Sequence, residues 1–154
     1  MLAFDRSPRT PTLAPALVDF CKLLELFLAD KVDPQAIDRA GAIPPTILAE
    51  LAWLGTFGVS LPEAYGGSGL GLVGACAVVE TLAYRDRALA TTIGLHLGLG
   101  TRGLVAFGSE RQQARWLPDL AAGTNIAAFS ATEPGAGSDL SRDRKSTRLN
   151  SSHT

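Results

Sequence analysis

Cysteine, histidine and methionine are scarce in this chain of 154 residues, which holds two, two and one of them. Cys21, Cys76, His96 and His153 are scattered without any metal-ligand spacing, so no metal site is expected. The two cysteines sit in apolar helical contexts and are expected as reduced core thiols. Also missing is any run of about 18 apolar residues free of charge, so no membrane span is expected. Excess positive charge is lacking too. The net charge is −1, which gives no reason to expect a nucleic-acid partner. That balance conceals a split: residues 1–140 carry 10 basic and 14 acidic side chains, whereas residues 141–154 carry four basic and one acidic. The opening MLAFDRSPRTPTLAP lacks the basic-then-apolar order of a secretory signal, so a cytoplasmic location is the simpler expectation.

What is present is apolar and helical. Hydrophobic residues make up 46% and charged residues 19%, enough for one domain, or one domain and a piece of another. In residues 13–31, Leu13, Leu17, Phe20, Cys21, Leu24, Phe27 and Leu28 recur at helical spacing, with Asp19, Lys22 and Glu25 opposite. Asp33-Pro34 reads as an N-cap followed by proline at the first helical position. A second helix starts near Pro45, buries Ile47, Leu48, Leu51 and Leu54, and stops at Gly55. A third runs from Leu72 to Tyr84 with Ala75, Cys76, Val79 and Leu82 on its inner face. A fourth lies between Ala88 and Phe107. Ser109-Glu110-Arg111-Gln112 is a capping box opening a last helix, which Pro118 is expected to kink or break and Gly123 to close. Residues 125–131, NIAAFSA, lose the helical period and read as a strand, and TEPGAGSD reads as a turn-forming, hydroxyl-rich loop. The last 14 residues hold one large apolar side chain, Leu149, too little to offset the entropy of ordering.

Two stretches match G-x-G-x-x-G: GLGLVG at 69–74 and GLGTRG at 98–103. The motif grips a pyrophosphate only where a buried strand feeds the loop and a helix leaves it. Before Gly69 the chain reads SLPEAYGGS, which is a turn. Before Gly98 it reads ATTIGLHL, which suits either a strand or one long helix rich in small residues. A nicotinamide-binding reading therefore requires a strand at 90–97.

Two further segments carry a resemblance. LGTFGVSLPEAYGGSGLG, residues 54–71, and FGSERQQARWLPDLAAGTNIAAFSATEPGAGSDL, residues 107–140, resemble in order and separation the signature segments of the flavin-dependent acyl-CoA dehydrogenases. The likeness covers roughly residues 15–140. It implies an all-α chain: a helical-bundle N-terminal domain over 1–124, followed by the first strand of an incomplete β-domain over 125–140. Residues 141–154 do not resemble the family's next strands and are expected to be a disordered tail foreign to the family.

The resemblance also implies a site. Phe129, Ser130, Ala131, Thr132, Gly137 and Ser138 would contact FAD. Ala131 and Thr132 would offer main-chain amides, Thr132 a hydroxyl, and Phe129 a ring beside the flavin. Gly135 and Gly137 would let backbone approach closely, and Ser138 would touch cofactor phosphate or the acyl-thioester substrate. Glu133 and Asp139 are read as ordering the loop rather than as an acid–base pair. The implied reaction is α,β-dehydrogenation of a fatty acyl-CoA, with electrons passing to an electron-transfer flavoprotein from a homo-oligomer. The family's catalytic glutamate lies in a C-terminal domain, so no residue of this chain is named as the catalytic base. Gly94, Gly98, Gly100 and Gly103 would line a helix bordering the acyl-chain pocket, and His96 on it is read as a core hydrogen-bonding histidine. Rival readings are an acyl-CoA oxidase or flavin monooxygenase of the same superfamily, and a helical interaction module without chemistry.

Overall fold

In the computed structural model, which describes residues 13–132, 137 and 138, prolines set the first three helix starts. Pro15, Pro34 and Pro45 open α1 (Pro15–Lys31), α2 (Pro34–Ala40) and α3 (Pro45–Trp53), where a missing N–H costs nothing. Asp33 caps α2 as expected, its carboxylate accepting from the Gln35 amide at 2.9 Å. Two short 3₁₀ turns follow, Thr56–Gly58 and Glu63–Tyr65. Then come α4 (Gly71–Arg85) and α5 (Arg87–Leu95), with Asp86 between them accepting from the Leu89 amide at 2.8 Å. A π-helical turn, His96–Gly100, leads into α6 (Thr101–Phe107), and α7 (Glu110–Ala121) is the last helix among the described residues.

α4 is the centre of the packing, lying against both α1 and α5. Leu24 and Leu28 of α1, Leu51 of α3, Phe57 of the first 3₁₀ turn, Val78 and Leu82 of α4, and Leu89 and Ile93 of α5 are all nearly inaccessible and form one core. Fully burying each such side chain is worth about 1.5–3 kcal/mol, so packing rather than helix propensity holds the bundle. Arg85 closes the far end: its guanidinium donates to the Val32 carbonyl through Nε at 2.9 Å, and Nη2 reaches the same oxygen. A smaller second core, Leu61, Leu117, Leu120 and Ala121, sits under α7 and holds Ala127 against it. No described helix is long and apolar enough to cross a membrane.

Four expectations need correcting. Pro118 neither breaks nor ends α7, which continues to Ala121. The burial of Leu117, Leu120 and Ala121 fixes that last turn, and the Ala122 amide bonds the Pro118 carbonyl at 2.9 Å. The long fourth helix is two α-helices joined by the π turn. The buried face of α4 is Gly74, Ala75, Val78, Thr81 and Leu82, so Cys76 is exposed rather than core. Finally, residues 125–131 form no strand: a strand needs a ladder partner, and the amide of Ala127 is instead taken by a side chain of the helical domain. The expected tail at 141–154, with Glu133, Gly135 and Asp139, lies outside the described residues.

Candidate functional site

The loop before α4 decides the first phosphate-loop question. Gly69 and Gly71 both adopt positive φ (64° and 58°), but no strand precedes them. The chain from Ser68 to Leu70 folds back on residues 58–61 through three backbone hydrogen bonds of 2.9–3.0 Å. The second match fails as well, because residues 87–95 are helix where a nucleotide fold needs a strand.

The segment after α7 is fastened first and then let go. Asp119 holds its start: the Asp119 carbonyl accepts from Thr124 Oγ1 at 3.0 Å and from the Asn125 amide at 3.2 Å. The Ala127 amide then donates to His96 Nδ1 at 3.0 Å. From Ala128 to Thr132 no backbone amide donates to another described residue. Phe129 is exposed (59%), as are Ser130 and Thr132, and Ala131 is half-buried. The expected residues Phe129, Ser130, Ala131 and Thr132 thus share one short stretch with two hydroxyls, an exposed ring and amides that donate to no other described residue. Gly137 and Ser138 lie in an exposed bend beyond the undescribed residues 133–136.

His96 is the buried polar centre of this region. It is fully inaccessible and meets Phe57 edge to face, with ring centroids 5.1 Å apart. Nδ1 accepts from Ala127, so the ring proton sits on Nε2, which donates to the Phe57 carbonyl at 3.2 Å. Burial holds the imidazole pKa below its ordinary value of 6.5, opposed in part by the carbonyls of Phe57 and Leu120. The π turn shapes the site around it. The Thr101 amide reaches back to the His96 carbonyl, and Thr101 Oγ1 donates to that of Leu97 at 3.2 Å. At Gly100 a β-carbon would lie 2.7–2.9 Å from Ala127 atoms, two of them backbone, so only glycine admits the segment there.

The four glycines expected along one surface separate into three environments. Gly94 and Gly98 line an open apolar groove of about 410 Å³ between α4 and α5, with Leu72, Cys76, Val79 and Leu97. Gly100 faces Ala127, and Gly103 faces open space. Val79 at the groove edge still packs against the main core, whereas Cys76 is exposed.

Comparison with known proteins then fixes the class. The acyl-CoA dehydrogenase N-terminal domain model matches residues 17–124, and the chain belongs to that family. It is 37% identical over 120 residues to the mitochondrial very long-chain specific acyl-CoA dehydrogenase of Macaca fascicularis, covering 78% of this chain and 18% of that protein. It is 38% identical over 108 residues to a probable acyl-CoA dehydrogenase of Bacillus subtilis, covering 70% and 18%. Among solved structures, butyryl-CoA dehydrogenase from Megasphaera elsdenii superposes with a TM-score of 0.76 at 34% identity, over 85% of this chain and 36% of that one. An acyl-CoA dehydrogenase from Bacillus anthracis, complexed with FAD, gives 0.72 at 32% identity over 90% and 24%. The chain spans about a fifth of the length of these two sequence relatives.

Proposed function

We propose that this chain is the N-terminal part of an FAD-dependent acyl-CoA dehydrogenase that removes hydrogen across the α,β bond of a fatty acyl-CoA. The observation that carries this reading is a continuity: the helical domain of the family runs directly into a largely exposed segment, 128–132, whose amides donate to no other described residue. When bound, FAD supplies the hydride acceptor. The chain's own share is to bind and orient. The amides of Ala131 and Thr132 and the Thr132 hydroxyl would donate to the ring edge where negative charge develops, a preorganised arrangement that stabilises the transition state. Phe129 would cover one side of the ring and keep water from it. Ser130, Gly137 and Ser138 would extend the contact, with Ser138 reaching cofactor phosphate or the thioester.

The groove over Gly94 and Gly98 would border the acyl chain. The catalytic base would come from a later domain, electrons would leave to an electron-transfer flavoprotein, and the working enzyme would be a cytoplasmic homo-oligomer. The 154 residues alone would be inactive and hold FAD poorly, since most of a flavin site must come from strands not among the described residues. The test compares two purified proteins, this chain and one continued through a complete flavin domain. The longer protein should carry the blue absorption band of stoichiometric flavin and the shorter should not. A colourless longer protein would remove the assignment.

A further inference from the structure

We propose that His96 and Gly100 form a notch that seats Ala127 and thereby aims the flavin-contacting residues 128–132 from the helical domain. Two features converge on one residue. His96 Nδ1 accepts the Ala127 amide at 3.0 Å, and Gly100 leaves room for Ala127 where a β-carbon would come within 2.7–2.9 Å of three of its atoms. Both features come from the same π turn, whose extra residue per turn sets the imidazole and the bare Gly100 backbone toward the same neighbour. The second core closes the seat, since Ala127 packs against Leu61, Leu117, Leu120 and Ala121. His96 cannot drift, because its other nitrogen is engaged by Phe57 and its ring is fully buried. The chain is therefore fixed at 127, one residue before the stretch whose amides donate to no other described residue, which is where a segment that presents donors to a cofactor must be anchored. His96 is a positioning residue: it acts through Ala127 and touches no reacting atom. The inference rests on the flavin reading above, but the seat itself is measurable without flavin.

The test separates the two nitrogens of His96. In His96→Asn the side-chain oxygen takes the place of Nδ1 and keeps an acceptor for Ala127. In His96→Gln the amide nitrogen takes the place of Nε2, keeping the bond to Phe57 and losing the one to Ala127. Amide hydrogen exchange of Ala127 in the 154-residue chain should accelerate about tenfold in His96→Gln and change by less than about twofold in His96→Asn. Gly100→Ala, which leaves His96 intact, should release the same amide. Helical circular dichroism shared by all three variants shows that the bundle persists. Nitrogen-15 shifts of His96 should report a neutral ring protonated on Nε2. Equal Ala127 exchange in the unsubstituted chain, His96→Gln and His96→Asn would overturn the seat. In the protein continued through its flavin domain, His96→Gln and Gly100→Ala should weaken FAD binding about tenfold, with His96→Asn near the parent. Unchanged FAD affinity in all three would overturn the positioning role while leaving the flavin assignment in place. No FAD binding by the unsubstituted long protein would overturn the flavin assignment and this role together.

Discussion

Replacing Gly67 with alanine should unfasten the loop that closes the first G-x-G-x-x-G. A β-carbon at Gly67 would sit 2.2 Å from the Leu61 carbonyl oxygen, 2.5 Å from its carbon and 2.8 Å from the Gly58 oxygen. All three are backbone atoms, so no side chain can swing aside to admit it. Relief requires the loop to lift from residues 58–61. Lifting breaks the bonds from Ser68 to Gly58, Gly69 to Leu61 and Leu70 to Val59, at 2.9, 2.9 and 3.0 Å. Three bonds at about 0.5–1.5 kcal/mol each put the loss at roughly 2–4 kcal/mol. Gly103→Ala serves as the opposite case, since Gly103 lies in α6 with nothing within 4 Å of an added β-carbon. That substitution should stabilise by about 0.5–1 kcal/mol through helix propensity. Urea denaturation followed by circular dichroism reads both as shifts in midpoint at constant slope. A Gly67→Ala protein as stable as its parent would refute the folded-back loop.

Other outcomes follow from the same geometry. Because burial lowers the His96 pKa, the unfolded chain binds the extra proton first, so stability should be full above pH 6.5 and fall as the pH drops below that value. His96→Asn should flatten that decline in denaturation measured across the acid range, and an unaltered decline would place its cause elsewhere. Ser109→Ala should cost about 1 kcal/mol in urea midpoint, because it removes a cap whose reciprocal Ser109 amide to Gln112 Oε1 bond is 2.8 Å. In the complete enzyme, Gly94→Leu with Gly98→Leu should shorten the preferred acyl chain by filling the groove between α4 and α5. An unchanged chain-length profile would disconnect that groove from the substrate.

Helix starts were legible in the sequence because their signals are local. Asp33 before Pro34, the serine–glutamine box at 109–112 and the apolar spacing of α1 each act within one turn. The π turn left no such trace, since one extra residue in a run of Gly and Leu preserves an apparently helical pattern. Cys76 was misplaced because α4 packs on two neighbours, and its apolar surface extends past the core into a groove. Apolar spacing counts hydrophobic residues and says nothing of which are covered. For Pro118, local propensity was overridden by the buried side chains on either side of it. Residues 125–131 have strand-like composition, but strands are made by partners, and among the described residues Ala127 is held by an imidazole. His96 was recognisable as a buried hydrogen-bonding histidine, whereas its bond to an amide 31 residues away was not. The site residues Phe129 to Thr132 came from family likeness; nothing in their composition alone distinguishes them from an ordinary loop.

The proposed role of the segment following α7 is to serve a flavin that oxidises acyl-CoA. Its most direct measurement is the absorption spectrum of the complete, flavin-loaded protein under anaerobic conditions as a saturated acyl-CoA is added. The flavin band should bleach with the thioester, and Thr132→Ala should slow the bleaching. A bound flavin whose spectrum no acyl-CoA changes would contradict it.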